Sequence, residues 1–241
     1  IDWDIDNDGR ADALTDGLLF LRFTFGLSGG SLTNGLISDG SEFTSASDIE
    51  RELKSIYDAS GDIDGDGNID ALTDGLLLLR YLFGLSGESL TSGVVASGAV
   101  RTDGSSIGSY IGTLMPEAPY ITLNGSAEFN HEQATSYVDA GATAADFKDG
   151  SVTVTVTGSV DADEAGVYTL TYSAVDSDGN IAKPMTRTIT VADTVGPVIT
   201  LNGETSMEIN QDSDFSDPGA TATDAVDGSV RVVTTGSVDP S

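Results

Sequence analysis

The stretch Asp62–Gly84, DIDGDGNIDALTDGLLLLRYLFG, decides how the front of the chain is read. Aspartates hold every second position up to a glycine, at Asp62, Asp64 and Asp66 before Gly67, and two more follow at Asp70 and Asp74. Five carboxylates in thirteen residues repel one another. A like-charged pair about 4 Å apart costs roughly 1 kcal/mol in water and roughly 4 kcal/mol at an effective dielectric near 20. A hard divalent cation with oxygen ligands turns that repulsion into coordination, and the glycine lets the backbone turn sharply around the ion. Several flexible carboxylates suit calcium better than the smaller, more exacting magnesium. An earlier copy, DIDNDGRADALTDGLLFLRFTFG, runs from Asp4 to Gly26 with acids at Asp4, Asp6, Asp8, Asp12 and Asp16. Two calcium loops are therefore expected.

The two copies belong to a longer repeat. An offset of 58 carries Asp4 to Asp62, Gly17 to Gly75, Arg22 to Arg80, Leu32 to Leu90 and Ile49 to Ile107. Units 1–58 and 59–116 each read as loop, helix, Gly/Ser-rich connector, helix. In the first helix Leu14, Leu18, Leu21 and Phe25 fall on one apolar face, as do Leu72, Leu76, Leu79 and Phe83 in the second copy. These faces are expected to bury against each other about a pseudo-twofold axis, with Asp12 as N-cap and Gly26 as C-terminal stop. Leu19, Phe20 and Phe23, with Leu77, Leu78 and Tyr81, widen that face; burial under the extra helices is expected rather than a partner-binding surface. A later helix, Ser47–Tyr57, presents Ile49, Leu53 and Ile56 and enters the second loop. The matching segment near Ile107–Leu114 either folds back ahead of the first loop, or the true entering helix lies upstream.

With 39 acidic and 10 basic residues, the formal charge is -29. Nucleic acid and anionic membrane both require positive charge and are excluded as partners. No cysteine is present, which removes disulfides, thiolate zinc sites and cysteine nucleophiles. The longest apolar runs, LLFL and LLLL, are far too short to span a bilayer, so no membrane insertion is expected in this segment. Ile1 lies directly against a loop without a signal peptide, and the chain is expected to be an internal piece of a longer exported protein. His131 is the only histidine and is expected in a surface turn; no nucleophile motif surrounds any serine. No enzyme activity is expected.

Beyond Pro116–Pro119 helical spacing gives way to alternation, as in SVTVTVTGSV and GVYTLTYSAVD. A second repeat appears, with ITLNG at 121–125 recurring at 199–203, an offset of 78 that also carries Asp139 to Asp217 and Gly141 to Gly219. Short strands separated by turns such as DFKDG and DSDGN predict antiparallel sandwiches, with Tyr168, Leu170 and Tyr172 facing inward. The second copy stops before its partner's last strands, so residues 198–241 are expected to be marginal alone or completed by a neighbour.

The front loops resemble those of the dockerin and EF-hand calcium-binding families. Asp4, Asp6, Asp8, Gly9 and Asp12 match loop positions one, three, five, six and nine, as do Asp62, Asp64, Asp66, Gly67 and Asp70. The resemblance implies that Arg10 and Asn68 lend backbone carbonyls at position seven. Position twelve is Thr15 or Thr73, and the acid follows one residue later, so a thirteen-residue loop closed by Asp16 or Asp74 is expected. Ala13 and Leu14, with Ala71 and Leu72, stand where dockerins contact cohesins. Residues 119–241 resemble bacterial Ig-like repeats of surface and secreted proteins, usually spacers or adhesive modules.

The expected architecture is multidomain: an all-α EF-hand/dockerin-like calcium-binding domain at 1–116, an all-β Ig-like sandwich at 117–194 and a truncated second one at 195–241. The expected role is a calcium-binding docking or anchoring module with Ig-like spacers, at the cell surface or outside the cell, with a cohesin-like or other cell-surface protein as possible partner. The alternatives are a calcium-stiffened adhesin stalk and the accessory tail of a secreted hydrolase.

Overall fold

Both copies of the ALTDG segment start a helix with one residue too many in its first turn. In a computed structural model, which describes residues 1–38 and 40–239, Asp12 lies in extended backbone and its carboxylate accepts the N–H groups of Leu14 and Thr15, each at 2.9 Å. The next turn, Ala13–Gly17, is π-helical, with the Gly17 N–H reaching back to the Asp12 carbonyl at 3.0 Å. Asp70 caps Ala71–Gly75 in the same way. The helices proper, α1 (Leu18–Thr24) and α4 (Leu76–Leu82), continue from these turns. Each ends where a glycine takes a left-handed conformation, Gly26 at φ +81° and Gly84 at φ +81°. The N–H groups of Gly26 and Leu27 then bond back to the carbonyls of Phe23 and Arg22, closing a Schellman motif.

The extra residue changes which face is buried. Leu14 and Phe25 are 63% and 58% exposed, and Leu72 and Phe83 are 64% and 55% exposed, against expectation. Leu19, Phe20, Leu77 and Leu78 are fully buried instead. A π turn holds more residues per turn than an α turn, so an α-helical projection through it assigns Leu14 and Leu72 to the wrong side. The expected burial of the second stripe holds: Phe23 packs edge-on against Tyr57 at 5.7 Å between ring centres.

Among the described residues, four further helices complete the front part: α2 (Gly30–Thr33), α3 (Ala46–Ser60), α5 (Glu88–Thr91) and α6 (Gly104–Gly112). Arg22 donates to the carbonyls of Leu32 and Asn34, and Arg80 to those of Leu90 and Ser92, tying α2 to α1 and α5 to α4. Ile49, Leu53 and Ile56 of α3 join Trp3, Phe20, Leu77 and Ile107 in one core. The two copies meet through their glycines: a Cβ on Gly17 would lie 3.0 Å from Leu79, and one on Gly75 would lie 2.7 Å from Leu21. Such reciprocal contacts are what a pseudo-twofold pairing produces. α6 folds back ahead of the first loop, where the Trp3 amide and indole N–H bond to the carbonyls of Leu114 and Ile111 at 2.9 and 3.0 Å.

The chain divides into two compact units. One comprises Ile1–Thr122, Ala142–Thr155 and Tyr172–Met185; the other comprises Leu123–Gly141, Val156–Thr171 and the chain from Thr186 onward. Among the described residues, ten strands come after the helices. β1 (Tyr120–Leu123), β3 (Ala142–Asp146) and β4 (Gly150–Val152) form a sheet in the order β1-β3-β4. β2 (Glu128–Glu132), β5 (Val154–Thr157), β6 (Gly166–Ala174) and β7 (Met185–Ala192) form another, in the order β2-β7-β6-β5. β8 (Val198–Leu201), β9 (Ala220–Asp224) and β10 (Gly228–Val230) form a third, in the order β10-β9-β8. Leu170 and Tyr172 are buried as expected, while Tyr168 is half-buried with its hydroxyl on the Glu164 carbonyl.

Two features depart from expectation in the β part. β2 pairs with β7 in parallel, Phe129 opposite Ile189. His131 lies in β2 rather than in a turn, with Tyr137 edge-on at 5.3 Å and the Thr135 carbonyl 3.1 Å from its Nε2. Arg187, almost fully buried, pairs with Asp139 and donates to the carbonyls of Ser126, Asn124 and Gly141. The Asn124-to-Gly141 bond of 3.0 Å recurs as Asn202-to-Gly219 at 2.9 Å. Val198, Ile199 and Leu201 of β8 are more than half exposed.

The start of α6 tests this packing. A Cβ on Gly104 would lie 2.3 Å from the Gly87 carbonyl oxygen, a contact with backbone that no side-chain rotation relieves. Gly104→Ala is expected to destabilise the front part by about 1–3 kcal/mol, read from urea unfolding followed by the emission of Trp3, the only tryptophan. An unchanged midpoint would place α6 away from Gly87.

Candidate metal centres

Each loop is built around an aspartate turned inward. Asp16, fully buried, accepts the Ile5 N–H at 2.7 Å on one oxygen and the Asp12 N–H at 2.8 Å on the other, with the Thr15 hydroxyl at 3.1 Å. Asp74 repeats this with Ile63 at 2.7 Å, Asp70 at 2.9 Å and Thr73 at 3.1 Å. Ile5 and Ile63 at the second loop position are themselves core residues. The loop backbone is thus pinned on one side by apolar packing and on the other by a carboxylate.

The first three aspartates of each loop converge. Oxygens of Asp4, Asp6 and Asp8 lie within 4.8 Å of one another, and so do those of Asp62, Asp64 and Asp66. Asp4 accepts from Asp8 N–H at 3.0 Å and Gly9 N–H at 2.8 Å; Asp62 accepts from Asp66 and Gly67. Gly9 and Gly67 have φ of +102° and +90°, which only glycine adopts without strain. Asp8 and Asp66 accept the N–H groups of Arg10 and Asn68, the residues expected at position seven. Asp12 and Asp70 serve as helix caps and bond through their N–H to the closing aspartates, rather than joining the converging triplets.

One set of contacts was not readable from the loops. Asp6, fully buried, uses one oxygen to accept the Ser38 N–H at 3.1 Å and the Ser41 hydroxyl at 2.6 Å, and its carbonyl accepts the Phe43 N–H at 3.0 Å. Asp64 does the same with the N–H groups of Ala96 and Arg101. The connector after each first helix is thereby fastened to position three of its own loop.

Burial without a compensating cation raises these acids. Asp4 is pushed up to about 7, first by burial and then by Asp8, Asp6 and Asp2, against the opposing Gly9 N–H. Asp8 is raised by burial and by Asp6. Asp16 is held well above the ordinary range by burial and by Asp6 and Asp4. Asp74 is raised by burial, against the N–H groups of Asp70 and Ile63. Among the described residues, no lysine or arginine forms an ion pair with these loop acids. An all-oxygen donor set of converging carboxylates without a protein cation fits a hard divalent ion.

A third group, Asp193, Asp224 and Asp227, also gathers within 4.8 Å but is exposed or half-exposed. DFKDG and DSDGN are ordinary turns: Asp146 accepts from Lys148 and Asp149, and Asp176 from Asp178 and Asn180.

Residues 121–191 and 199–241 match the family described as bacterial surface protein, Ig-like domain. Residues of about 120–230 are thus β-sheet domains of Ig-like type. Among solved structures, the lipoprotein BT2262 from Bacteroides thetaiotaomicron is 31% identical over 32% of this chain and 39% of its own, with a TM-score of 0.29. The CBM51-2 and INT domains of Clostridium perfringens ZmpB, solved with GlcNAc, are 27% identical over 36% of this chain and 21% of theirs, with a TM-score of 0.27. The chain therefore spans less than half of either solved relative. No curated protein matches it. No helix among the described residues is long and apolar enough to cross a membrane.

The raised acids give a sign to test. Asp4 titrates at about 7 when folded against 3.8 ordinarily, and Asp8, Asp16 and Asp74 shift the same way. The folded chain therefore binds more protons than the unfolded one between those values, and stability falls as pH rises through them. With chelator, the urea midpoint of the front part is expected to be higher at pH 5 than at pH 8. Saturating calcium, which binds only deprotonated carboxylates, is expected to reverse the order. The same order with and without calcium would mean that these acids meet no ion.

Proposed function

We propose that residues 1–116 form a non-catalytic, calcium-binding docking module, carried with Ig-like spacers in a larger exported bacterial protein. The observation that carries this reading is the convergence of Asp4, Asp6 and Asp8, repeated at Asp62, Asp64 and Asp66, around a glycine turn in each copy. Asp16 and Asp74 close the loops. Arg10 and Asn68 add a carbonyl each, as the resemblance to EF-hand and dockerin loops implies. The bound ion supplies positive charge at the centre of each loop. The chain's own residues set the loop geometry, bury its apolar second position and fasten the connector to Asp6 or Asp64.

Docking is favoured over a purely structural stalk by the four large side chains left in water. Leu14 and Phe83 line one shallow depression with Arg10 and Leu82, and their repeat counterparts Leu72 and Phe25 are as exposed. Exposed apolar side chains on a folded surface mark interaction sites when they cluster. Leu14 and Leu72 are positions at which the family resemblance expects partner contacts. The match of the β part to bacterial surface proteins supports a place at the cell surface or outside the cell.

Calorimetric titration of calcium into the chain is expected to give two sites, and Asp8→Ala or Asp66→Ala to leave one each. Extracellular modules of this kind bind at roughly 10⁻⁴–10⁻³ M. Calcium at about a hundred times the dissociation constant is expected to add about 2.7 kcal/mol per site to stability. No heat of binding at millimolar calcium, with an unchanged melting midpoint, would overturn the reading.

A further inference from the structure

The two loops are alike in their acids but not in what covers them. The compact unit that holds the helices also holds Tyr172–Met185, the segment that leads out of β6 through the DSDGN turn. Lys183 in that segment donates to the Asn7 carbonyl at 3.0 Å and to the Gly40 carbonyl at 2.9 Å. Its Cβ lies 3.6 Å from where a Cβ on Gly9 would stand. Asn7 is held in a left-handed conformation, φ +56°, with its amide on Glu42 at 2.6 Å. One residue beyond Gly9, the Arg10 guanidinium sits 4.8 Å from the centre of the Tyr120 ring. The tip of loop one, Asn7–Arg10, is therefore gripped by residues of the β part.

Loop two is met from within the helical repeats, by the Tyr57 hydroxyl on the Ile69 carbonyl and by residues of its own copy. There the cation is Arg101, which donates to the carbonyls of Asp62 and Ile63 and stacks on Tyr110 at 4.0 Å. Phe43 stands at the corresponding place in the first copy, so loop one has no counterpart of Arg101; Lys183 donates to it at another point, the Asn7 carbonyl. Burial tracks the difference: Asp4 and Gly9 are buried and half-buried, whereas Asp62 and Gly67 are half-buried and exposed.

We propose that loop one is a calcium-dependent joint, in which Lys183 is the positioning residue that seats the Tyr172–Met185 segment on the loop. The inference rests on loop one being a calcium site. Asn7 lies between Asp6 and Asp8, so an ion shared by those two carboxylates fixes the peptide whose carbonyl receives Lys183. Without the ion, like-charge repulsion between them frees that peptide and the seat is lost. Loop two, with its cation built in, serves stability alone.

The chain has no cysteine, so Ala59→Cys and Ser177→Cys, both at exposed positions within this unit, can carry a pair of spin labels. Pulsed dipolar spectroscopy is expected to show a single narrow distance in calcium and its loss in chelator. Lys183→Gln in calcium is expected to lose the narrow distance too, while calorimetry still counts two ions and Trp3 emission stays as in the parent. That arm separates release of the joint from unfolding. Asp66→Asn, which weakens loop two, is expected to keep the narrow distance. Two bound ions together with a narrow distance in Lys183→Gln would overturn the joint while leaving the calcium reading intact. Loss of the narrow distance in Asp66→Asn with Trp3 emission unchanged would also overturn it, by removing its link to loop one. Absence of calcium uptake in the parent chain would overturn both.

Discussion

One carboxylate per copy, turned away from water, sets the front part of this protein. Asp16 and Asp74 each receive two or more backbone N–H groups from their own loop, and those bonds draw the loop closed around the acids at positions one, three and five. An ionised carboxylate buried in this way is unfavourable unless its bonds and a neighbouring positive charge offset the lost hydration. The amides offset part of it. Burial first, and then the neighbouring Asp6 and Asp4, hold Asp16 well above its ordinary range. The same inward-facing acid that gives the loop its shape thus adds to the negative charge gathered there.

That closing acid sits four residues past the capping aspartate, and the fold accommodates this spacing in an identifiable way. An extra residue between a capping aspartate and a continuing helix has to go somewhere. Here it widens the first turn into a π turn, Ala13–Gly17 and Ala71–Gly75, so that Asp16 and Asp74 swing toward the loop. The acid pattern and the offset are both legible in the sequence. Their consequence for the helix face is not, because a projection at 3.6 residues per turn assumes the turn that the insertion abolishes. Such a projection sends Leu14 and Leu72 to the core, whereas both stand in solvent.

The rest of the fold is legible wherever side chains carry it and hidden wherever backbone does. Ile49, Leu53 and Ile56 predict their helix and its buried face. Gly26 and Gly84 mark helix ends because their left-handed conformation admits little else. The clamp from Asp6 to Ser38 and from Asp64 to Ala96 leaves no such trace, since the donors are amides and the residues at these matching positions differ. The parallel pairing of β2 with β7 is equally silent, because alternation along a strand reports burial and not the direction of its neighbour. In the β part, the ITLNG repeat predicts the recurring turn that Asn124 and Asn202 make.

Comparing the copies position by position separates what the repeat needs from what each copy does with it. The loop aspartates, the glycines that let α1 and α4 approach, and the arginines that hold α2 and α5 are the same in both. These maintain the shared scaffold. The differences fall on the flanks: Glu50 accepts the Gly29 N–H at 2.6 Å, whereas its counterpart Gly108 offers no side chain and packs against Tyr81. Phe43 replaces the arginine that bonds loop two at Arg101. Copies that served stability alone would gain nothing from differing beside an unchanged loop. When one loop is held by Arg101 and the other receives Lys183, the residues that touch each loop from outside are free to diverge while the loops themselves stay alike.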